Sequence, residues 1–365
     1  MGEAFSAPVS HGGWPAVRDG ASVFAALDLG TNNCRLLVAT PATRGFRIID
    51  SFSRIVRLGE GMGESGRLGE AAMERAIGAL SVCAGKIARH PGARVRAVAT
   101  QACRSATNGA EFVARVAART GIHLSIIAPL EEAQLSVAGC LDLLDRNMKA
   151  ALVLDVGGGS TELSWIDLTA PGLTVEPRRL AHWRLPIGAW LSAPIGVVTL
   201  AEHFPQGAGP DMAGYRLMVD AVKTKLANFS RAQSFRATFD AGDAHMVGTS
   251  GAITSLAGLH LGLSRYDRAR VDGLWMSRGE CEDIAGRLAG LTVPERAALP
   301  CIGPDRADLV LAGAAILQAV QELWPCERVR VADRGLREGL LLSLMSDQRR
   351  GRGRRRRGGL ASRSA

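Results

Sequence analysis

Short apolar runs alternate along this chain with longer stretches of helical periodicity, and glycine or proline punctuates the changes. FAALDLGTNNCRLLVAT, from Phe24 to Thr40, is two apolar runs around a small polar turn. A strand pattern from Phe46 to Ile55 follows, then a glycine-rich loop (LGEGMGESGRLGE) and an Ala/Glu/Arg-rich helix from about Glu70 to His90. ARVRAVAT reads as a buried strand, AEFVARVAARTG as a helix with a glycine stop, and GIHLSIIAP as a strand ended by Pro129. EEAQLSVAGCLDLL reads as a helix leading into LVLDVGGGSTELSWI, which starts at Leu152. A Pro/Gly-rich connection spans Pro171 to Pro210, and a helix is expected from about Ala213 to Arg231. The rest predicts a strand-turn-helix (AHMVGTSGAITSLAGLHL), a helical region containing RADLVLAGAAILQAV, a strand (RVRVAD) and a last helix (LREGLLLSL). Strands alternating with helices predict an α/β fold with mixed or parallel sheets covered by helices.

The informative repeat is between the two glycine turns. Aligned on Asp28 and Asp155, each is an apolar strand ending in Asp, one apolar residue, Gly, small polar residues, and a second strand. A separation of more than a hundred residues suits one copy per domain rather than a tandem repeat.

A chain of 365 residues with 47% apolar content has room for two domains with sizeable cores. No apolar run reads as a signal peptide or a membrane span. Seven cysteines without a CxxC pair argue against a disulfide framework or a zinc site; a reducing cytoplasm and mostly buried thiols are expected. Of the net charge of +9, the last 17 residues supply +8 through eight arginines, which leaves +1 for the other 348. Residues 347–365 are therefore expected to be a disordered Arg-rich tail, either solubilising or an arm for polyanions such as polyphosphate or nucleic acid. Residues 1–21 are expected to be a flexible leader.

Each Asp-x-Gly turn offers backbone N–H groups with no side chain in the way, an arrangement that binds phosphate. An adjoining carboxylate suits Mg²⁺, which accompanies phosphate oxygens. The alternative, two glycine-rich hairpins without a ligand, is weakened by their duplication. No GxxxxGK[ST] motif occurs, which excludes a P-loop.

The hairpins resemble those of the actin, heat-shock ATPase and sugar kinase superfamily, where two ribonuclease-H-like domains each contribute one to a common cleft. MVGTSGAITSLAGL, from Met246, resembles the strand-to-helix turn that this group places near the nucleoside. The closer resemblance is to the exopolyphosphatase and guanosine pentaphosphate phosphohydrolase (Ppx/GppA) family. It rests on DLGTNNCRLLVA, ATQACRSATNG, LEEAQLSVAG, DVGGGSTEL, GPDRADLVLAGAAIL and VADRGLREGLL, in that order, from about Phe24 to Leu344. It implies an N-terminal domain over 22–136 and a second over 137–346, with the last helix packing back on the first domain.

The resemblance also implies Mg²⁺-dependent hydrolysis of a terminal phosphoanhydride in polyphosphate or guanosine pentaphosphate, and a homodimer. On this reading Glu132 orients or activates water, and Arg104, in a small-residue loop, clamps the reacting phosphoryl group. Asp155 and Glu162 coordinate Mg²⁺ directly or through water, with Asp28 as a further candidate. Gly157, Gly158, Gly159 and Ser160 face the phosphates from one domain, and Gly30, Thr31 and Asn32 from the other. Arg35 is expected to be structural, Glu131 to complement its helix dipole, and the loop from Arg57 to Gly66 to line the cleft or to be a plain loop. The histidines His182, His203 and His245 show no metal spacing.

Two departures stand out. Ala128 and Pro129 replace the family's usual Ser-Gly before the Glu pair, and Asn33 replaces a Ser of the first motif. The chain also lacks the extra helical domains that help longer relatives grip long polymers, so processive action is not implied. Two other classes compete: an ATP-binding switch or kinase of the same superfamily, and a non-enzymatic polyanion or RNA binder acting through the tail.

Overall fold

The computed structural model describes residues 22–346, apart from 44, 171–184, 208, 228 and 230–232. The leader, the arginine-rich tail and His182 lie outside the described residues. Two sheets organise the chain. The first contains β1 (Phe24–Leu29), β2 (Asn33–Pro41), β3 (Phe46–Ile55), β4 (Arg94–Ala99) and β5 (Leu124–Ile126) in the order β3-β2-β1-β4-β5. β1 runs antiparallel to β2 and parallel to β4. The second contains β6 (Ala150–Val156), β7 (Thr161–Asp167), β8 (Ile187–Ala193), β9 (Ala244–Thr249), β10 (Trp275–Ser277) and β11 (Arg328–Ala332). Its order is β10-β11-β9-β6-β7-β8. Read from β8 to β11 it repeats the first sheet, with β10 added antiparallel at the edge. This strand order and polarity, twice in one chain, is the two-domain ribonuclease-H-like fold of the actin-like ATPases.

β1 and β6 are central in their sheets and apolar on both faces, as strands covered from both sides must be. On its outer face the first sheet packs against the helices Glu70–Ala88 and Gly109–Thr120 through Leu27, Leu36, Leu80, Phe112 and Val116. The second sheet is covered by Ser250–His260 and by Val310–Leu323, a helix buried nearly all round. All seven cysteines are free and buried, as small apolar side chains.

Several elements escaped the hydrophobic pattern. β8 and the helix Val197–His203 lie inside the expected Pro/Gly-rich connection, because β8 is a half-exposed edge strand (IGAWLSA) without clean alternation. Gln101–Ser105 is a one-turn helix, so Arg104 sits on a helix rather than in a loop. β5 is only three residues long, since the chain turns into the next helix at once.

Two helices join the sheets. Pro129–Cys140 leaves the first sheet and reaches the second. Its Leu135 belongs to a core cluster with Phe24 and Val98, whereas its Val137 and Cys140 pack with Val153 and Val247. The expected boundary after residue 136 therefore falls within this helix. The last helix, 336–346, follows β11 but buries Leu340, Leu341 and Met345 in the first sheet's cluster. The two helices cross backbone to backbone. A Cβ on Gly139 would overlap the Gly335 carbonyl, and one on Gly339 would overlap the Leu135 carbonyl. Gly339→Ala forces this crossing apart. Thermal unfolding should show a loss of about 1–3 kcal/mol, the usual cost of overpacking. An unchanged melting temperature would show that the crossing is loose.

Candidate active site

The cleft between the sheets is lined by both hairpins, by the Thr249–Gly251 turn and by the segment that opens the last helix. Asp28 and Asp155 end β1 and β6 at equivalent positions, so the topology alone brings them to one cleft. Each turn is closed at its base by one backbone bond, Gly30 N–H to Asn33 O and Gly157 N–H to Ser160 O, both 2.9 Å. Gly30 and Gly157 line the cleft, but their N–H groups close the turns. Among the described residues, the N–H groups of Gly158 and Gly159 form no such turn bond.

The hairpins touch each other. A Cβ on Gly158 would lie 3.0 Å from Thr31 Cβ and 3.1 Å from Asn32 Cβ, and one on Gly159 would overlap the Gln101 side-chain carbonyl. Gln101 in turn accepts a hydrogen bond from the Thr31 hydroxyl at 3.2 Å. The loop after β3 braces the first turn from behind: Val56, Arg57 and Gly59 donate N–H groups to the Asn32 and Thr31 carbonyls. That loop does not line the cleft. Its Arg57 instead grips Asp308 of the second domain with both guanidinium nitrogens, at 2.9 and 3.0 Å.

Four carboxylates converge here. Glu132 lies in the first turn of Pro129–Cys140, buried, with Arg104 Nη1 donating to its Oε2 at 3.0 Å. Arg104 also donates to the Ile127 carbonyl at 2.8 Å, which aims it across the start of that helix. Glu131 turns away and pairs with Arg96. Desolvation, the Glu162 charge and, less strongly, Asp155 push Glu132 well above the usual carboxylate range, against the pull of Arg104. Burial and then Asp155 raise Glu162 to about 7, although Ser192 Oγ donates to it at 2.8 Å. Burial raises Asp155, opposed by a hydrogen bond from Ser136 and by Arg35. Burial raises Asp28 to about 6, with Arg35 and Arg337 pulling the other way. Asp28 Oδ1 is buried and makes no hydrogen bond, so this side chain does not serve its own turn.

Pattern reading missed several groups. Arg35, set aside as structural, lines the cleft beside Gly251, and Arg306 and Arg337 line it as well. Arg35 was visible in the sequence as the partner of Asp28 across the first hairpin. Ser136 was visible as the residue one turn after Glu132 on the same helix face. Arg337 had no local signal, because the chain returns to the cleft from far away. Ser250, at φ 93°, holds the strand-to-helix turn in a conformation rare for a non-glycine residue.

Among the described residues, no three His, Cys, Asp or Glu side chains group closely enough to hold a metal ion alone. The donor set suits a cation shared with phosphate oxygens, which needs only one or two carboxylates and keeps water ligands. The unpartnered Asp28 Oδ1 is the observation that fits such a cation.

Asp28 gives a pH signature. It ionises near 3.8 when unfolded and near 6 in the fold. Between these values the native state holds the extra proton, so stability falls as pH rises through the window, and the full loss is present above about 6. Two units correspond to ~3 kcal/mol. Asp28→Asn is therefore expected to melt higher than wild type at pH 8, and the gap should narrow as pH falls through the window and close only below about 3.8. Equal melting temperatures at pH 8 would sink this assignment.

Comparison with known proteins agrees with the geometry. A profile of the Ppx/GppA phosphatase family matches residues 37–348. Exopolyphosphatase 2 of Mycobacterium tuberculosis is 30% identical over 333 residues, covering 88% of this chain and 98% of that protein. A guanosine-5′-triphosphate,3′-diphosphate pyrophosphatase of Aeromonas hydrophila is 27% identical, and the match spans 89% of this chain but 60% of that longer protein. The crystal structure of the Aquifex aeolicus family member superposes with a TM-score of 0.70 at 27% identity, over 90% of this chain and 98% of that one. Its two matched sheets, paired hairpins and ordered motifs place the chain in the Ppx/GppA phosphatase family.

Proposed function

We propose that the chain hydrolyses a terminal phosphoanhydride with Mg²⁺, releasing orthophosphate from the end of polyphosphate, from guanosine pentaphosphate, or from both. The observation that carries this reading is Glu132, which lines the cleft with the two hairpins and is held by Arg104 from the adjoining hollow. A general base and a guanidinium beside a phosphate nest are what attack by water on a phosphoryl group requires.

In this reading the free N–H groups of Gly158 and Gly159, with Thr31 and Asn32 opposite, hold the terminal phosphates. Arg104 binds the reacting phosphoryl oxygens and keeps Glu132 in place. Glu132 accepts the proton of the attacking water, and its raised pKa makes it a stronger base than an ordinary carboxylate. Asp155 and Glu162, directly or through water, are the groups that would hold Mg²⁺, with Asp28 as a further candidate, and the ion would neutralise charge on the phosphate oxygens. Ser136 and Ser192 orient two of those carboxylates. Arg35, Arg306 and Arg337 face the remainder of the substrate. The Thr249–Gly251 turn is compatible with a nucleoside, so ATP is the substrate that separates hydrolysis of this kind from an ATP-dependent switch.

The test is phosphate release from polyphosphate of several lengths, guanosine pentaphosphate and ATP. Wild type should act on at least one of the first two and lose activity in EDTA. Glu132→Gln should lower kcat by about 10²–10⁴, the usual worth of a general base. Equal release by wild type and Glu132→Gln would remove Glu132 from the mechanism, and turnover of ATP alone would favour the switch.

A further inference from the structure

A second hollow adjoins the cleft. Arg104, Ser105, Pro129, Trp190, Ser192 and Pro194 line it, and Gln101 and Ser160 line both spaces. The partition between them is thin and polar. Arg104, which faces the hollow, holds Glu132, which faces the cleft. Ser192, which faces the hollow, holds Glu162, which faces the cleft. Gln101 stands between the hairpins on two long hydrogen bonds, from Thr31 Oγ1 at 3.2 Å and to Ser105 Oγ at 3.3 Å.

The charges differ on the two sides. Five carboxylates line the cleft (Asp28, Glu132, Asp155, Glu162 and Asp333), and none is among the residues lining the hollow. Arg35, Arg306, Arg334 and Arg337 line the cleft and not the hollow, whereas Arg104 lines the hollow and not the cleft. On the function proposed above, on which this inference rests, the uncleaved substrate is held on the side of the four cleft arginines. The cut phosphate is held at Arg104. Leaving by the cleft would take it past the remaining polyanion and the cleft carboxylates. Leaving by the hollow takes it past a guanidinium, hydroxyls and an indole.

We propose that this hollow is the exit for orthophosphate and that the Gln101 side chain is its gate. Breaking the two long hydrogen bonds of Gln101 opens the path, and the shortened substrate keeps its hold on the other side.

Release and cleavage are measured separately in single turnovers, by acid quench for cleavage and by a fluorescent phosphate-binding reporter for release. Ser105→Trp fills the hollow from a residue not itself assigned to the chemistry, and it also removes one of the two Gln101 hydrogen bonds. Its cleavage rate should stay within about twofold of wild type while release slows at least about fivefold and becomes limiting. Gln101→Ala should release phosphate no more slowly than wild type. Release that keeps pace with cleavage in Ser105→Trp overturns the exit, and slowed release in Gln101→Ala overturns the gate. Pro194→Trp replaces Ser105→Trp if that variant melts early. If wild type frees no phosphate from any substrate, the proposed function falls and takes the exit with it.

Discussion

The contact on which the site depends is one made without side chains. A methyl group on Gly158 would crowd Thr31 and Asn32 of the opposite hairpin at 3.0–3.1 Å, and one on Gly159 would displace the end of the Gln101 side chain. The same constraint recurs at the far end of the interface, where the joining helices cross through Gly139, Gly335 and Gly339. The domains are thus in backbone contact at the mouth of the chemistry and at the crossing that links them. Packed interiors tolerate little added volume, so these glycines set the distance between the jaws. The cost of glycine in a strand-turn-strand, roughly 0.5–1 kcal/mol each, is offset by an approach that no other residue permits.

That closeness creates an electrostatic problem. Glu132, Asp155, Glu162 and Asp28 are drawn into one low-dielectric cleft, and burial raises the pKa of each. Arg104 answers Glu132 directly, while Arg35 acts on Asp28 and Asp155 from a distance. The balance is incomplete without a ligand. Asp28 retains a buried oxygen with no partner, and the N–H groups of Gly158 and Gly159 form no turn bond. A phosphate chain supplies acceptors for the N–H groups and the arginines, and a divalent cation supplies charge for the carboxylates. The like charge gathered in the cleft and its affinity for such a pair would have the same physical origin.

Much of this was legible in the sequence because it is local. The Asp-x-Gly turns announce themselves by an apolar run that ends in Asp, and their duplication announces two domains. Glu132 stands at a helix start marked by Pro129. What the sequence hid depends on tertiary geometry. It marked Gly30 and Gly157 as facing phosphate, but not that their N–H groups close the turns. It marked no neighbour for Gly159, because Gln101 comes from a helix some sixty residues earlier. β8 went unseen since an edge strand half open to solvent need not alternate. Arg337 reaches the cleft only because the last helix turns back to the first sheet.

Shared hairpins cannot by themselves distinguish a hydrolase from a nucleotide switch, since both grip phosphate. The distinction lies in the helix Pro129–Cys140. One face of it carries Glu132 and, four residues on, Ser136, whose hydroxyl reaches Asp155 at the end of β6. The helix therefore holds the candidate base in register with a carboxylate of the opposite domain. Arg104 fixes the same glutamate from the first domain. A glutamate serving only helix capping would need neither restraint, and Glu131 beside it shows that simpler case by pairing with Arg96. A buried ion pair on Glu132, on a helix that is itself tied to Asp155 of the other domain, is costly to maintain for structure alone. It is the expected arrangement when a water molecule must be held in line with a phosphoryl group.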